Sequence, residues 1–185
     1  MTAQDGSTGR RHAVSFAPAP SRGWMWPLGL AGVLVVSGWL RVTPELATPL
    51  RVAAIALFAA LIVWMLAIAV EFPRLTYRVD ADGVTLQYGR LARYRIAASE
   101  LAEVGRKDLR FSPWASFRFP GLALYRVPYR GDGTIQMCAS RSHRDVVVLQ
   151  ARDGARYGCT PADPDGFLAA VGDLQRDVRS PGEKA

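Results

Sequence analysis

The chain is short of the residues that most often carry chemistry. Its 185 residues include two cysteines, Cys138 and Cys159, and two histidines, His12 and His143. Neither C-x-x-C nor H-x-x-x-H spacing occurs, and Cys138, His143 and Cys159 together would still lack a fourth ligand, so no metal centre is expected. Ser140, Ser142, His143 and Asp145 crowd into one short loop. A catalytic triad needs partners brought together from separate elements, so this grouping is not one. No glycine-rich loop follows a strand and opens a helix; Gly131-Asp132-Gly133 is turn chemistry instead. Asp163 and Asp165 pass for paired carboxylates but suit helix capping better. The expectation is a protein with no catalytic residues, no cofactor and no metal, and hence not an enzyme.

Two uncharged apolar runs, residues 23–40 and 52–70, stand near the N-terminus, and no third follows. Each approaches the ~20 residues that an α-helix needs to cross a ~30 Å hydrocarbon core. The second contains no Gly, Pro or polar side chain, lies between Arg51 and Glu71, and shows no polar stripe of the kind a soluble helix carries. The first is interrupted by Pro27, Gly29, Gly32 and Gly38, with Trp24, Trp26 and Trp39 near its ends as interfacial anchors. It is too long for a signal-peptide core, and no small-residue cleavage site follows. The reading is a transmembrane hairpin over residues 23–71, with helices at about 23–41 and 52–70 and a short connection holding Pro44 and Pro49. Arg10, Arg11 and Arg22 before the hairpin, and Arg74 and Arg78 after it, outweigh Arg41 and Arg51 between the helices. Both termini are therefore expected on the cytoplasmic side of the membrane. Residues 1–22 and 180–185 read as disordered tails.

Residues 72–179 read as one small domain, strands first and a helix last. Leu75, Tyr77 and Val79 alternate with Thr76, Arg78 and Asp80, then Asp82-Gly83 turns the chain into Val84, Leu86 and Tyr88. Further strands are expected over 92–97, 103–110, 122–129, 134–139, 146–151 and 155–159, with Ser140 to Asp145 as a hairpin tip. Asp163 caps a final helix opened by Pro164, whose stripe is Phe167, Val171, Leu174 and Val178. The fold class is α+β: a mainly antiparallel open barrel closed by a C-terminal helix.

Three stretches carry a family resemblance. One is Tyr77-Arg78-Val79-Asp80-Ala81-Asp82-Gly83-Val84, and a second is Phe119-Pro120-Gly121 with Tyr125. The third runs from Val146-Val147-Val148-Leu149 through Asp153-Gly154 to Thr160-Pro161-Ala162-Asp163-Pro164 and the apolar helix start. The chain resembles the bacterial pleckstrin-homology (PH)-like domains fused to one or two transmembrane helices. That resemblance implies the open-barrel architecture and a membrane-proximal placement. Such domains share no common ligand, so no site residues carry over.

Charge is the feature of the domain that points to function. The chain's net charge of +7 is segregated: residues 85–130 hold nine basic residues against three acidic, whereas 131–185 hold seven against eight. Interleaved with the excess are Phe111, Trp114, Phe117, Phe119, Tyr125 and Tyr129. A basic aromatic face suits anionic lipid headgroups, or a protein partner or second copy of the chain. Compositional bias toward Arg supplies a bland explanation. No nucleic-acid recognition motif accompanies the charge. The candidate interaction surface is Arg106, Lys107, Arg110, Trp114 and Arg118. The expected function is a membrane-anchored module mediating protein or lipid interactions at the cytoplasmic face. One alternative is an accessory subunit packing its helices with another membrane protein; another is a membrane-bound enzyme using Cys138, His143 and Cys159.

Overall fold

A computed structural model of the chain describes residues 13–41, 48–112 and 116–179. Its elements in chain order are β1 (Val14–Phe16), α1 (Met25–Arg41), α2 (Thr48–Glu71), β2 (Leu75–Asp80), β3 (Gly83–Tyr88), β4 (Ala92–Ala97), β5 (Leu101–Lys107), β6 (Arg118–Phe119), β7 (Leu122–Tyr129), β8 (Gly133–Ala139), β9 (Val146–Ala151), β10 (Arg156–Cys159) and α3 (Pro164–Arg179). The fold is mixed α+β, with largely antiparallel sheets and a C-terminal helix. The 42–47 connection, residues 1–12 and the 180–185 tail lie outside the described residues.

Helix α2 has 24 residues, apolar on every side, and at ~1.5 Å per residue it is about 36 Å long. Among the described residues it is the one helix long and apolar enough to cross a membrane. Helix α1 is also apolar but has 17 residues. The two pack together, with the Phe58 side chain of α2 lying against Gly38 of α1.

The first sheet runs β1-β2-β3-β4, antiparallel throughout. Its first tight turn follows from Asp80, whose Oδ1 accepts the N–H groups of Asp82 (3.1 Å) and Gly83 (3.0 Å). The second sheet runs β5-β9-β10-β8-β7-β6, and within it β10 lies parallel to β8. This corrects one expectation. Ser140 to Asp145 is not a hairpin tip, because β10 sits between β8 and β9 and the loop crosses over its end. Sequence neighbours usually pair, but here β10 intervenes, with Gly158 packed so closely on Met137 that a Cβ there would lie 2.3 Å from the sulfur. Helix α3 closes the core with Phe167, Val171 and Leu174 buried, while Val178 at 38% exposure lies beyond the packed stripe. Its cap is as the sequence indicates, Asp163 Oδ1 accepting the Gly166 N–H at 2.9 Å.

The N-terminal segment also departs from expectation. From Val14 onward it is built into the domain rather than left as a tail. Val14, Ser15 and Phe16 pair with Val79, Arg78 and Tyr77, so β1 extends the first sheet. The Ala19 N–H then donates to the Thr160 carbonyl (2.7 Å), and the Ala162 N–H to that of Ala17 (2.9 Å). The buried Ser140 hydroxyl donates to the Ala19 carbonyl at 2.6 Å. Three residues are too short a run for alternation to be read, so only the tertiary pairing identifies this strand.

Phe16 meets Phe167 edge-to-face at 5.2 Å between ring centroids. Phe16→Ala is expected to destabilise the domain by about 2 kcal/mol, measured by chemical denaturation of the detergent-solubilised chain. Val14→Ala, at an exposed position of the same strand, should stay within about 0.5 kcal/mol.

Candidate functional site

Of the five residues proposed from sequence the structure describes four, and three of these are already engaged. Arg106 and Lys107 end β5, where each already has a carboxylate. Arg106 directs Nε and Nη2 to Asp145 Oδ1 at 3.2 and 2.8 Å, with Asp165 3.6 Å from Nη1. Arg141 takes the other oxygen of Asp145 at 3.2 Å. The hydrogen bond from Arg106, and then its charge, hold the Asp145 carboxyl below its ordinary range. Lys107 pairs with Asp132. Arg118 is a strut: its guanidinium donates to the Ser112 and Pro128 carbonyls at 2.8 and 3.4 Å and lies 4.8 Å from the Phe111 ring centroid. Arg110 is exposed, and its carbonyl accepts the Arg130 N–H at 2.9 Å. Trp114 lies outside the described residues.

Within residues 85–130 the side chains of Arg90, Arg93, Arg110, Arg126 and Arg130 have no acidic partner among the described residues. Sequence counting exposed the excess charge. It could not say which cations the fold neutralises, because Asp132 and Asp145 come from distant sequence. Such exposed pairs contribute little stability; their effect is on which arginines stay open to a partner.

Sequence reasoning missed the junction between α2 and the domain. The last turns of α2 enter the core: Ile68 is fully buried, and Met65 and Phe72 nearly so. The buried Tyr88 hydroxyl donates to the Ile68 carbonyl at 2.6 Å. Glu71 accepts the Arg90 backbone N–H at 3.2 Å and pairs with Arg74 at 2.8 Å. Beside α1, the Gly23 backbone packs on Gly121 so closely that a Cβ on Gly23 would sit 1.8 Å from the Gly121 oxygen. Strand β7 then climbs the helices. Four residues beyond Gly121, the Tyr125 ring stacks on Trp64 with centroids 6.1 Å apart and planes at 18°. Trp64 lies seven residues before Glu71, about 10 Å up the helix. Tyr125 takes a left-handed backbone, φ 63°, within an extended strand, and its hydroxyl is buried with no hydrogen-bond partner among the described residues. Phe117 packs edge-on against Tyr125 and Phe119, at 6.0 and 5.1 Å. The sequence signal was the run of aromatics from 111 to 129; what it packed against was not visible.

Of the enzyme alternative's residues, the fold brings Cys138 and Cys159 side by side in the core, while His143 lies elsewhere. Cys138 and Cys159 are fully buried in the neighbouring strands β8 and β10. His143 lies in the crossover, its ring tilted at 51° against Phe111 with centroids 4.5 Å apart. Burial raises both thiols, Cys138 to about 12, which suits inert core residues better than nucleophiles. Among the described residues no three His, Cys, Asp or Glu side chains converge as metal ligands.

Two facing, mostly antiparallel sheets closed by one C-terminal helix define a PH-like domain. The family model for the bacterial PH domain matches residues 75–174, from the first residue of β2 into α3, and the chain belongs to that family. Neither the curated proteins nor the solved structures contain a match to it. As a class, PH-like domains are binding modules that mediate protein or lipid interactions.

Neither cysteine should react with maleimide at pH 7.5 until the chain is denatured, when both should. The Cys138 thiol is raised in the fold from 9.0 to about 12, so the fold favours its neutral form. Its contribution to stability is complete below about pH 9 and is lost as pH rises toward 12. Buried Tyr77 and Tyr88 are raised in the same sense. Denaturation midpoints measured from pH 7 to 12 should hold level and then fall above about pH 9.

Proposed function

We propose that this chain is a non-enzymatic bacterial PH module, anchored by α1 and α2 in a bacterial inner membrane with both termini cytoplasmic, that mediates interactions at the cytoplasmic face. The observation that carries this reading is the seat of the domain on α2. Ile68 and Met65 lie in the domain core, while Val52, Ile55, Leu57, Val63 and Val70 on the same helix are exposed. A helix of that composition needs lipid or protein around it. Its buried end holds the domain against whatever surrounds the rest.

The way the domain is seated favours lipid as the first contact. Because Tyr125 reaches about 10 Å up α2, insertion of the helix brings Phe117, Phe119 and Tyr125 to headgroup depth, where aromatic rings are favoured. Arg126 follows on β7 and Arg130 just after its end, and Arg110 adjoins Arg130. Near an anionic leaflet each would contribute about 1 kcal/mol. Of the sequence-derived surface, Arg110 with Trp114 in the same segment is the part we retain. Arg106 and Lys107 already have carboxylates, and Arg118 holds the loop together.

Phosphatase and fluorescent-protein fusions at the C-terminus test the anchor. Fluorescence without phosphatase activity is expected, and the reverse pattern would sink the two-span topology. Hydrogen exchange on the full chain in phosphatidylglycerol-containing nanodiscs tests the contact. The β6–β7 edge should be more protected there than in detergent, and Arg110→Glu with Arg126→Glu and Arg130→Glu should abolish the difference. Equal protection in both settings would turn the search to a protein partner or self-association.

A further inference from the structure

We propose that the groove between the foot of α1 and the domain holds one anionic phospholipid of the inner leaflet. The groove has a volume of about 680 Å³, within the range of small-molecule sites. Met25, Trp26 and Gly29 form one wall, Pro120 and Gly121 the other, and Arg22 and Arg141 supply its two cations. Met25, Trp26 and Gly29 share one face at the start of α1, and the exposed apolar Val33 follows one turn beyond Gly29 on that face. Gly29 keeps the floor open, since a Cβ there would meet nothing within 4 Å.

The chemistry of the lining selects the ligand. The serine hydroxyls beside the groove are committed to backbone, Ser21 to the Gly121 carbonyl at 2.6 Å and Ser140 to that of Ala19 at 2.6 Å. The remaining strong donors are the two guanidinium groups. Arg22 has no side-chain partner among the described residues. Arg141 spends one nitrogen on Asp145 at 3.2 Å and keeps further N–H groups for a phosphate. A small soluble anion would leave the Met25 and Trp26 wall bare, and a neutral apolar ligand would leave both arginines unmatched. An anionic headgroup with an acyl chain satisfies both. This site rests on α1 and α2 being inserted in the membrane, which places the foot of α1 beside the headgroups.

The full-length chain in mild detergent is titrated with phosphatidylglycerol or phosphatidylcholine, and bound lipid is counted by native mass spectrometry. One phosphatidylglycerol per chain should be held in preference to phosphatidylcholine. Arg22→Gln with Arg141→Gln should weaken that binding by ~10- to 30-fold, leaving phosphatidylcholine unchanged. Gly29→Leu, which fills open space without displacing a neighbour, should weaken both lipids. Membranes carrying the same variants are washed with alkaline carbonate as an independent reading of the anchor. Chains that stay in the membrane and hold phosphatidylglycerol equally with and without the two arginines overturn the site and leave the anchor standing. Release of the unaltered chain by the wash overturns the anchor, and the site with it.

Discussion

The phenol of Tyr88 meets the carbonyl of Ile68 at 2.6 Å, inside a core that the last turns of α2 share with the domain. A linker between a helix and a folded domain ordinarily leaves the two free to reorient. Here the helix end is part of the packing, and Ala31 of α1 joins it opposite Met65. The position of every surface of the domain relative to the helices follows from that seam. The climb of β7 along the hairpin follows from it, and so does the groove at the foot of α1. Burying a hydrogen-bonded hydroxyl at the seam also fixes register, since a slip by either partner would strand a buried polar group.

The electrostatics divide along similar lines. A cluster of basic residues in sequence is a statement about composition until the fold assigns partners. Asp145 serves both Arg106 and Arg141, while Asp132 serves Lys107. These carboxylates lie in the β8–β9 crossover and the β7–β8 turn, remote in sequence from β5. Of the arginines without carboxylates among the described residues, Arg126 lies on β7, Arg130 just beyond it and Arg110 beside Arg130, while Arg90 and Arg93 lie at the other sheet. Tyr125 occupies a strained left-handed conformation with its ring against Trp64. Such strain persists where surrounding contacts over-determine it, and here those contacts are the aromatics between the sheet and the membrane-type helix.

Much of this molecule was legible from its residues. Strands β2, β3, β4, β7 and β9 fall within a residue of their sequence readings, because alternation and the Asp82-Gly83, Gly131-Asp132-Gly133 and Asp153-Gly154 turns are local signals. Helix α3 starts at Pro164 behind its Asp163 cap for the same reason. The uniform apolarity of α2 and the PH-like class were legible too. What local signals could not supply was partnership. Val14–Phe16 became a strand because β2 offered it an edge. Strand β10 lies between β8 and β9, paired with both, and its Gly158 lies beside Met137.

The sequence by itself therefore determined most of the elements, the family, the long apolar helix and the excess of positive charge. Each depends on side-chain periodicity or composition within a short window. Tertiary structure alone decided which arginines are neutralised, how far the domain climbs the helices and where a groove opens beside α1. Those outcomes depend on contacts between residues as distant as Ser21 and Gly121, and no local pattern encodes a distance across the fold.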